Sequence, residues 1–235
     1  MDVTVCHQLI NKRLRELPLD REPGNLYEPI KYILGLESPR FYPLLTLWGC
    51  YLFSGAYQKA VTPCLGVEVF FNFLKLHGEL LDGSRLRNGR ESVPLKWNRN
   101  VAILSGDAMI FKAYELLIQV DPVLVKPVVK KFNLCFTRVC EGKQLSLNNP
   151  GIEVDLETSN QYRGSLGGFS LQLGAAIGKA NHEQQEEVGR LGTELAASIT
   201  SSARGRLNHS FTHSLSKLQC PQHRKQEFEQ WINEI

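Results

Sequence analysis

Apolar positions recur along this chain at the three-to-four-residue spacing of helices that bury one face. Residues 1–20 carry Val5, Leu9, Ile10, Leu14 and Leu17 on one side, and Pro18 ends that stretch. After a Pro23-Gly24 turn, residues 26–36 form a second predicted helix with Pro29 in its first turn, where a missing N–H costs nothing. Residues 60–77 are apolar on nearly every side, the pattern of a helix buried all round. Residues 130–147 continue the helical pattern, Asn149-Pro150-Gly151 breaks it, and 182–203 resume it before a polar helix over 221–235. Residues 162–177 carry Gly164, Gly167, Gly168 and Gly174, each lowering helix stability by about 1 kcal/mol relative to alanine. Small residues along one stripe predict a close helix–helix contact there instead of a loop.

Residues 41–58 are 18 positions without a charge, the lower limit for crossing a bilayer. Pro43, Gly49, Ser54 and Gly55, with turn-like text on either side, make a buried core helix the better reading. A chain of 235 residues suits one domain, 1–235, with a substantial core. A net charge of +3 is too small to argue for nucleic acid or an acidic membrane surface as a partner. The amino terminus, MDVTVCHQLINKRLREL, has no apolar signal core, so a cytoplasmic location is expected. Cysteines 6, 50, 64, 135, 140 and 220 form no CxxC pair, which predicts free, buried thiols and neither disulfides nor zinc.

Residues 70–114 read FFNFLKLHGELLDGSRLRNGRESVPLKWNRNVAILSGDAMIFKAY. This text resembles the first half-site of the head-to-tail polyprenyl synthetase family, the isoprenyl diphosphate synthases. The family text is close to HDDxxD, a short spacer, RRGxPTVHxxW and AILxGDxLxxxAY. The resemblance spans residues 22–200 and is weak after Ala203. It implies an all-α fold: an isoprenoid-synthase-type orthogonal helical bundle around a central cavity, here truncated at the C-terminus. It also implies a dimer, and a scaffold role for Asp107 as a buried, hydrogen-bonded aspartate.

The scaffold words match better than the chemical ones. The family's GGKRLRP loop, whose cations hold a diphosphate, falls on Glu37, Ser38 and Pro39, with Arg40 kept, Tyr42 at the second arginine and Pro43 kept. A histidine that contacts diphosphate falls on Phe71, which cannot donate. The first aspartate-rich motif falls on Gly78, Glu79 and Asp82. Glu79 and Asp82 are i and i+3, share a helical face and form a weak candidate site for one Mg²⁺. Arg87 and Gly89 survive in the basic loop, with Asn88 and Pro94 at its second arginine and its histidine. Gln144 survives from EGQxxD, and Phe169-Ser170 stand at the lysine-threonine pair. The second aspartate-rich motif falls on Ile199, Thr200 and Ala203, without a carboxylate.

In that family's chemistry a leaving diphosphate is stabilised by metal ions and cations preset on both walls of the cavity. Arg40, Arg87 and Gln144 remain as vestigial diphosphate contacts, Glu79 and Asp82 as a two-carboxylate metal candidate, and Phe71 and Phe169 as cavity lining. The resemblance with these departures implies a non-catalytic relative needing no cofactor, with Mg²⁺ bound only if residual activity persists. Its partner is a second copy or a catalytic isoprenyl diphosphate synthase. A prenyl or other lipid chain in the cavity is a variant, an active one-metal prenyltransferase is the rival, and a merely foldable paralogue is a third reading.

Overall fold

The computed structural model describes residues 1–148, 163–199 and 207–235, leaving out the side chains of 207–210 and 212. The expected break at 149–151, and positions 200 and 203, lie outside the described residues. The described chain is almost entirely helical.

Helix α1 (Val3–Arg15) starts where the Asp2 carboxylate accepts from the Val5 amide at 3.0 Å and ends with Lys12, Arg13 and Arg15, basic residues that suit the carbonyl end of a helix. Its buried row is Cys6, Ile10 and Leu14, while Val5, expected inward, is exposed. Residues at i, i+4 and i+8 line one face, and Cys6 completes that row better than Val5 does. Helix α2 (Gly24–Gly35) begins two residues earlier than predicted, so Pro29 sits inside it and not in its first turn. Helix α3 (Phe41–Ser54) is buried on most sides and stops at Gly55, whose φ of 77° is open to glycine at little cost. A short 3₁₀ turn (Gln58–Ala60) leads into α4 (Val61–Asp82), which extends through the acidic segment and ends at Gly83 with φ 65°.

The predicted basic loop is a minimal hairpin, β1 (Leu86–Arg87) paired antiparallel with β2 (Arg90–Glu91). Asn88 and Gly89 turn it with φ of 49° and 77°, the two left-handed positions of a two-residue hairpin turn. Helix α5 (Val93–Lys96) then leads to α6 (Arg99–Leu117), capped by the Asn98 side chain on the Val101 amide at 2.9 Å. The long α7 (Pro122–Asn148) precedes α8 (Ser165–Ile177), α9 (His182–Ser198), α10 (Leu207–Lys217) and α11 (Gln222–Glu234).

The bundle is layered around α3, α4 and α8. Helix α4 packs on α6, α3 on α8, and α8 on α9. The glycine stripe makes the close contact expected of it: a Cβ on Gly174 would run into the Thr46 carbonyl of α3, and one on Gly167 into the Gly192 carbonyl of α9. The C-terminal helices add an aromatic cap. Phe228 and Trp231 of α11 stack about Trp48 of α3, at ring-centroid distances of 5.2 and 5.7 Å. All six cysteines are free, with Cys140 exposed and Cys220 half-buried. Among the described residues no helix is long and apolar enough to cross a membrane, and residues 41–54 are a core helix.

Candidate functional site

Helix α4 is not apolar all round. Glu68, Asn72, Lys75 and Glu79, at i, i+4, i+7 and i+11, form one polar stripe along it. Two arginines from other segments close on that stripe. Arg40, at the left-handed entry to α3 (φ 52°), is buried. Its guanidinium donates to Glu68 Oε1 at 2.6 Å and Asn11 Oδ1 at 2.9 Å. It also donates to the carbonyls of Leu34 and Leu36 at 2.9 and 2.8 Å, which satisfies orphan groups at the end of α2. The Asn72 amide donates to Glu68 Oε1 at 2.8 Å and to the Glu68 carbonyl at 2.9 Å. Arg87, delivered by the hairpin and also buried, donates from Nε to Glu79 Oε1 and from its terminal nitrogens to Asn72 at 3.4–3.5 Å.

The electrostatics follow from burial. Desolvation pushes the Glu68 and Glu79 carboxyls above the usual carboxylate range, opposed by Arg40 and by Arg87 respectively. Desolvation also lowers the Arg87 and Lys75 pKa values, and for Lys75 the neighbouring Arg87 charge adds to the effect. Lys75 makes no hydrogen bond or ion pair among the described residues; its ammonium lies over the Phe71 ring, 5.7 Å from the centroid.

The sequence-derived site residues are thus distributed unevenly. Arg40, Glu79 and Arg87 belong to this buried network. Asp82 faces away from it and receives Lys143 of α7 at 3.1 and 3.3 Å. Gln144 is exposed on α7 and donates within its own helix to Asn148 Oδ1 at 2.9 Å. Phe71 lines a cavity of about 600 Å³ together with Tyr42, Leu74, Leu166 and Ile199. Phe169, expected in that same cavity, is not there. Leu166, one turn earlier on α8, takes the facing wall, while Phe169 packs on Phe132 at 5.4 Å and borders a separate cavity of about 390 Å³. Ser170 is buried and donates to its own helix at the Leu166 carbonyl, 2.6 Å. Asp107, expected to be buried, is exposed on α6. Sequence reasoning missed Glu68, Asn72 and Lys75, although three polar residues at helical spacing in so apolar a helix were a readable signal.

The smaller cavity yields a pH prediction. Lys131 of α7 pairs with Glu186 of α9 at 2.8 Å, and Gln172 of α8 donates to the same carboxylate at 3.3 Å. The Lys131 hydrogen bond holds the Glu186 carboxyl below its ordinary value of 4.5. A depressed carboxyl contributes stability that is present above the unfolded-state pKa and lost as pH falls through the folded one. Glu186→Gln is therefore expected to flatten the acid limb of a urea-midpoint profile below pH 4.5, by less than about 1 kcal/mol for so exposed a pair.

The donor set does not fit a magnesium–diphosphate clamp. Mg²⁺ is held by one or two carboxylates plus water and phosphate oxygens, which requires carboxylates open to the ligand. Glu79 is engaged by Arg87 inside the bundle, and Asp82 by Lys143 outside that network. Among the described residues no three of His, Cys, Asp and Glu converge in a metal-holding set. Across the cavity the wall carries Ala196 and Ile199.

Comparison with known proteins places this geometry. The family model described as Polyprenyl synthetase matches residues 23–198. Geranylgeranyl pyrophosphate synthase of Geoglobus acetivorans is 27% identical over 178 residues, covering 72% of this chain and 56% of that protein. Geranylgeranyl diphosphate synthase of Methanosarcina mazei is 28% identical over 192 residues, covering 74% and 57%. The chain thus spans little more than half the length of these curated relatives. A crystal structure of a geranylgeranyl pyrophosphate synthase superposes with a TM-score of 0.80 at 31% identity, covering 85% of this chain and 62% of that one. A geranyltranstransferase of Methanosarcina mazei, 19% identical with a TM-score of 0.77 over 98% of this chain and 96% of its own, agrees in fold.

Proposed function

The chain belongs to the polyprenyl synthetase family, and from that premise we propose that it is a non-catalytic member of isoprenoid metabolism, a subunit that pairs with a second copy or with a catalytic isoprenyl diphosphate synthase. The observation that carries this reading is the engagement of Arg40 and Arg87. These arginines, which the resemblance assigns to diphosphate, are buried and paired with Glu68 and Glu79. Arg40 spends four of its five N–H donors and Arg87 three on protein acceptors, and a buried carboxylate already matches each charge, so neither is free to neutralise a phosphate. Electrostatic stabilisation of a leaving diphosphate is the largest demand of the family's reaction, and the loss of one such donor costs on the order of 10²–10³ in rate. Several such groups are absent or engaged at once.

The pairing half of the proposal rests on α6. Ile103, Leu104 and Phe111 stand exposed along it, Phe111 at 72%, and Ile118 continues the row just past its end. An apolar stripe of this length on a single helix favours association with another surface. The partner's identity as self or synthase is what the assay decides.

The test uses the purified chain with isopentenyl and allylic diphosphates and Mg²⁺. No product is expected from the chain alone. Sedimentation of the chain alone and with a family synthase is expected to show a dimer or a mixed complex that Phe111→Glu disrupts. Turnover that disappears in Asp82→Asn would instead establish the one-metal prenyltransferase and sink the non-catalytic reading.

A further inference from the structure

The 600 Å³ cavity beside Phe71 has a chemical character of its own. Phe41, Tyr42, Phe71, Leu74, Leu166 and Ile199 supply apolar walls. Among the described residues its charged side chains are Lys75 and Arg163, both cationic, and no acidic side chain lines it; Arg163 and the last residue, Ile235, which also borders it, each have a partner already. The charge balance of the adjoining network points the same way. Arg40 is matched by Glu68 and Arg87 by Glu79, so Lys75 is the third cation beside two carboxylates. A half-buried ammonium without an ion pair is held at a desolvation cost that an anion beside it would offset. Phe71, whose face it covers, offsets that cost only in part.

We propose that this cavity binds, without metal, a single-chain amphiphile bearing one anionic head group, a carboxylate or a monophosphate, with the head at Lys75 and the chain against Phe71, Leu74, Leu166 and Ile199. The proposal rests on the non-catalytic reading, in which the cavity holds a chain without ionising it, and adds the class of ligand. Volume and lining suit it, since small-molecule sites of 300–1,000 Å³ are mostly apolar with a few convergent polar groups. The head group is limited to one centre of charge by the supply of cations: Arg40 and Arg87 are paired with Glu68 and Glu79, Arg163 already has a partner, and among the described residues no metal-holding set stands there. Carboxylate and phosphate draw on the same ammonium, and the assay separates them.

The full chain is titrated calorimetrically in EDTA with dodecanoate and dodecyl phosphate below their micellar concentrations and with dodecanol below its solubility limit. At least one of the two anions is expected to bind at one site per chain, at least about 10-fold more tightly than the alcohol, since a hydrogen bond to a charged group contributes about 1.5–3 kcal/mol. Lys75→Met is expected to remove that preference while leaving dodecanol binding within about 2-fold, and Lys75→Arg to retain it. Thermal unfolding shows whether each variant is folded, and Lys75→Gln replaces the methionine variant if that one is not. Equal affinity for the alcohol, a preference that survives Lys75→Met, or no binding of any of the three would overturn the inference. Turnover of diphosphates with Mg²⁺ would overturn the non-catalytic reading instead, and that outcome is read in a separate assay.

Discussion

Arg40→Met is expected to destabilise the chain by about 3–5 kcal/mol, the range seen when one partner of a buried ion pair is removed. Against a total stability of about 5–15 kcal/mol that is a large fraction. The cost has three sources. Glu68, 1% exposed, is left as an uncompensated buried carboxylate. The Leu34 and Leu36 carbonyls at the end of α2 lose their donors. Asn11 of α1 loses its tie to the entry of α3. Urea unfolding followed by circular dichroism measures the deficit as a shift in midpoint at constant slope. Arg40→Lys is expected to recover little, because a lysine cannot fork between a carboxylate and two carbonyls. Arg40→Met with Glu68→Leu is expected to recover a good part, since exchanging a whole buried pair for apolar groups is often close to neutral.

The same variant has a signed pH dependence. Burial already raises the Glu68 carboxyl above 4.5, and loss of Arg40 raises it further. A carboxyl raised in the folded state binds its proton there first, so stability falls as pH rises from the unfolded value to the folded one. The Arg40→Met deficit should therefore be largest at neutral pH and shrink as pH falls toward 4.5. A deficit below 1 kcal/mol at pH 7, or one that grows on acidification, would mean that Arg40 is not held as described and remains available to a ligand.

What the sequence disclosed and what it hid separate along physical lines. Helix faces were readable because burial imposes a period, and the all-α bundle followed from it and from the family text. Ends were readable where a residue has special backbone freedom, as at Gly55 and Gly83, and misread at Pro29, whose helix starts at Gly24 without a capping side chain. In sequence the hairpin reads only as a basic loop: Asn88-Gly89 is a two-residue turn signature, but so short a pairing is submerged in a run of charges. The site was harder. Which cation neutralises which carboxylate depends on contacts between residues 8 to 28 positions apart, and no local pattern reports them. Arg40 and Arg87 looked like remnants of a ligand site, and their partners emerge only when α4 is folded beside them. Phe169 likewise sits one turn along α8 from Leu166, which takes the wall assigned to it, and spacing alone does not set which turn of a helix meets a cavity.

Glycines on neighbouring core helices should respond in opposite directions, and Gly174→Val carries the second large effect. Its Cβ would lie inside van der Waals distance of the Thr46 carbonyl oxygen and 2.8 Å from the Cys50 amide nitrogen, both main-chain atoms of α3. Across the same contact a Cβ on Gly49 would meet the Leu171 carbonyl and, at 3.0 Å, the Ala175 nitrogen. The two helices thus approach backbone to backbone at a core crossing, where neither side has a flexible side chain to move aside. Overpacking commonly costs about 1–3 kcal/mol when side chains can adjust, so this substitution is expected to exceed about 3 kcal/mol. Gly78, in α4 at the position of the family's leading aspartate, has nothing within 4 Å of its built Cβ. Gly78→Ala is therefore expected to stabilise by about 0.5–1 kcal/mol through helix propensity. Gly78→Asp should fold as well, so packing does not explain the absent carboxylate. Paired urea titrations decide the matter: Gly174→Val with a native-like midpoint would remove the close α3–α8 contact from the structure, and a destabilised Gly78→Ala would place an unseen neighbour against α4.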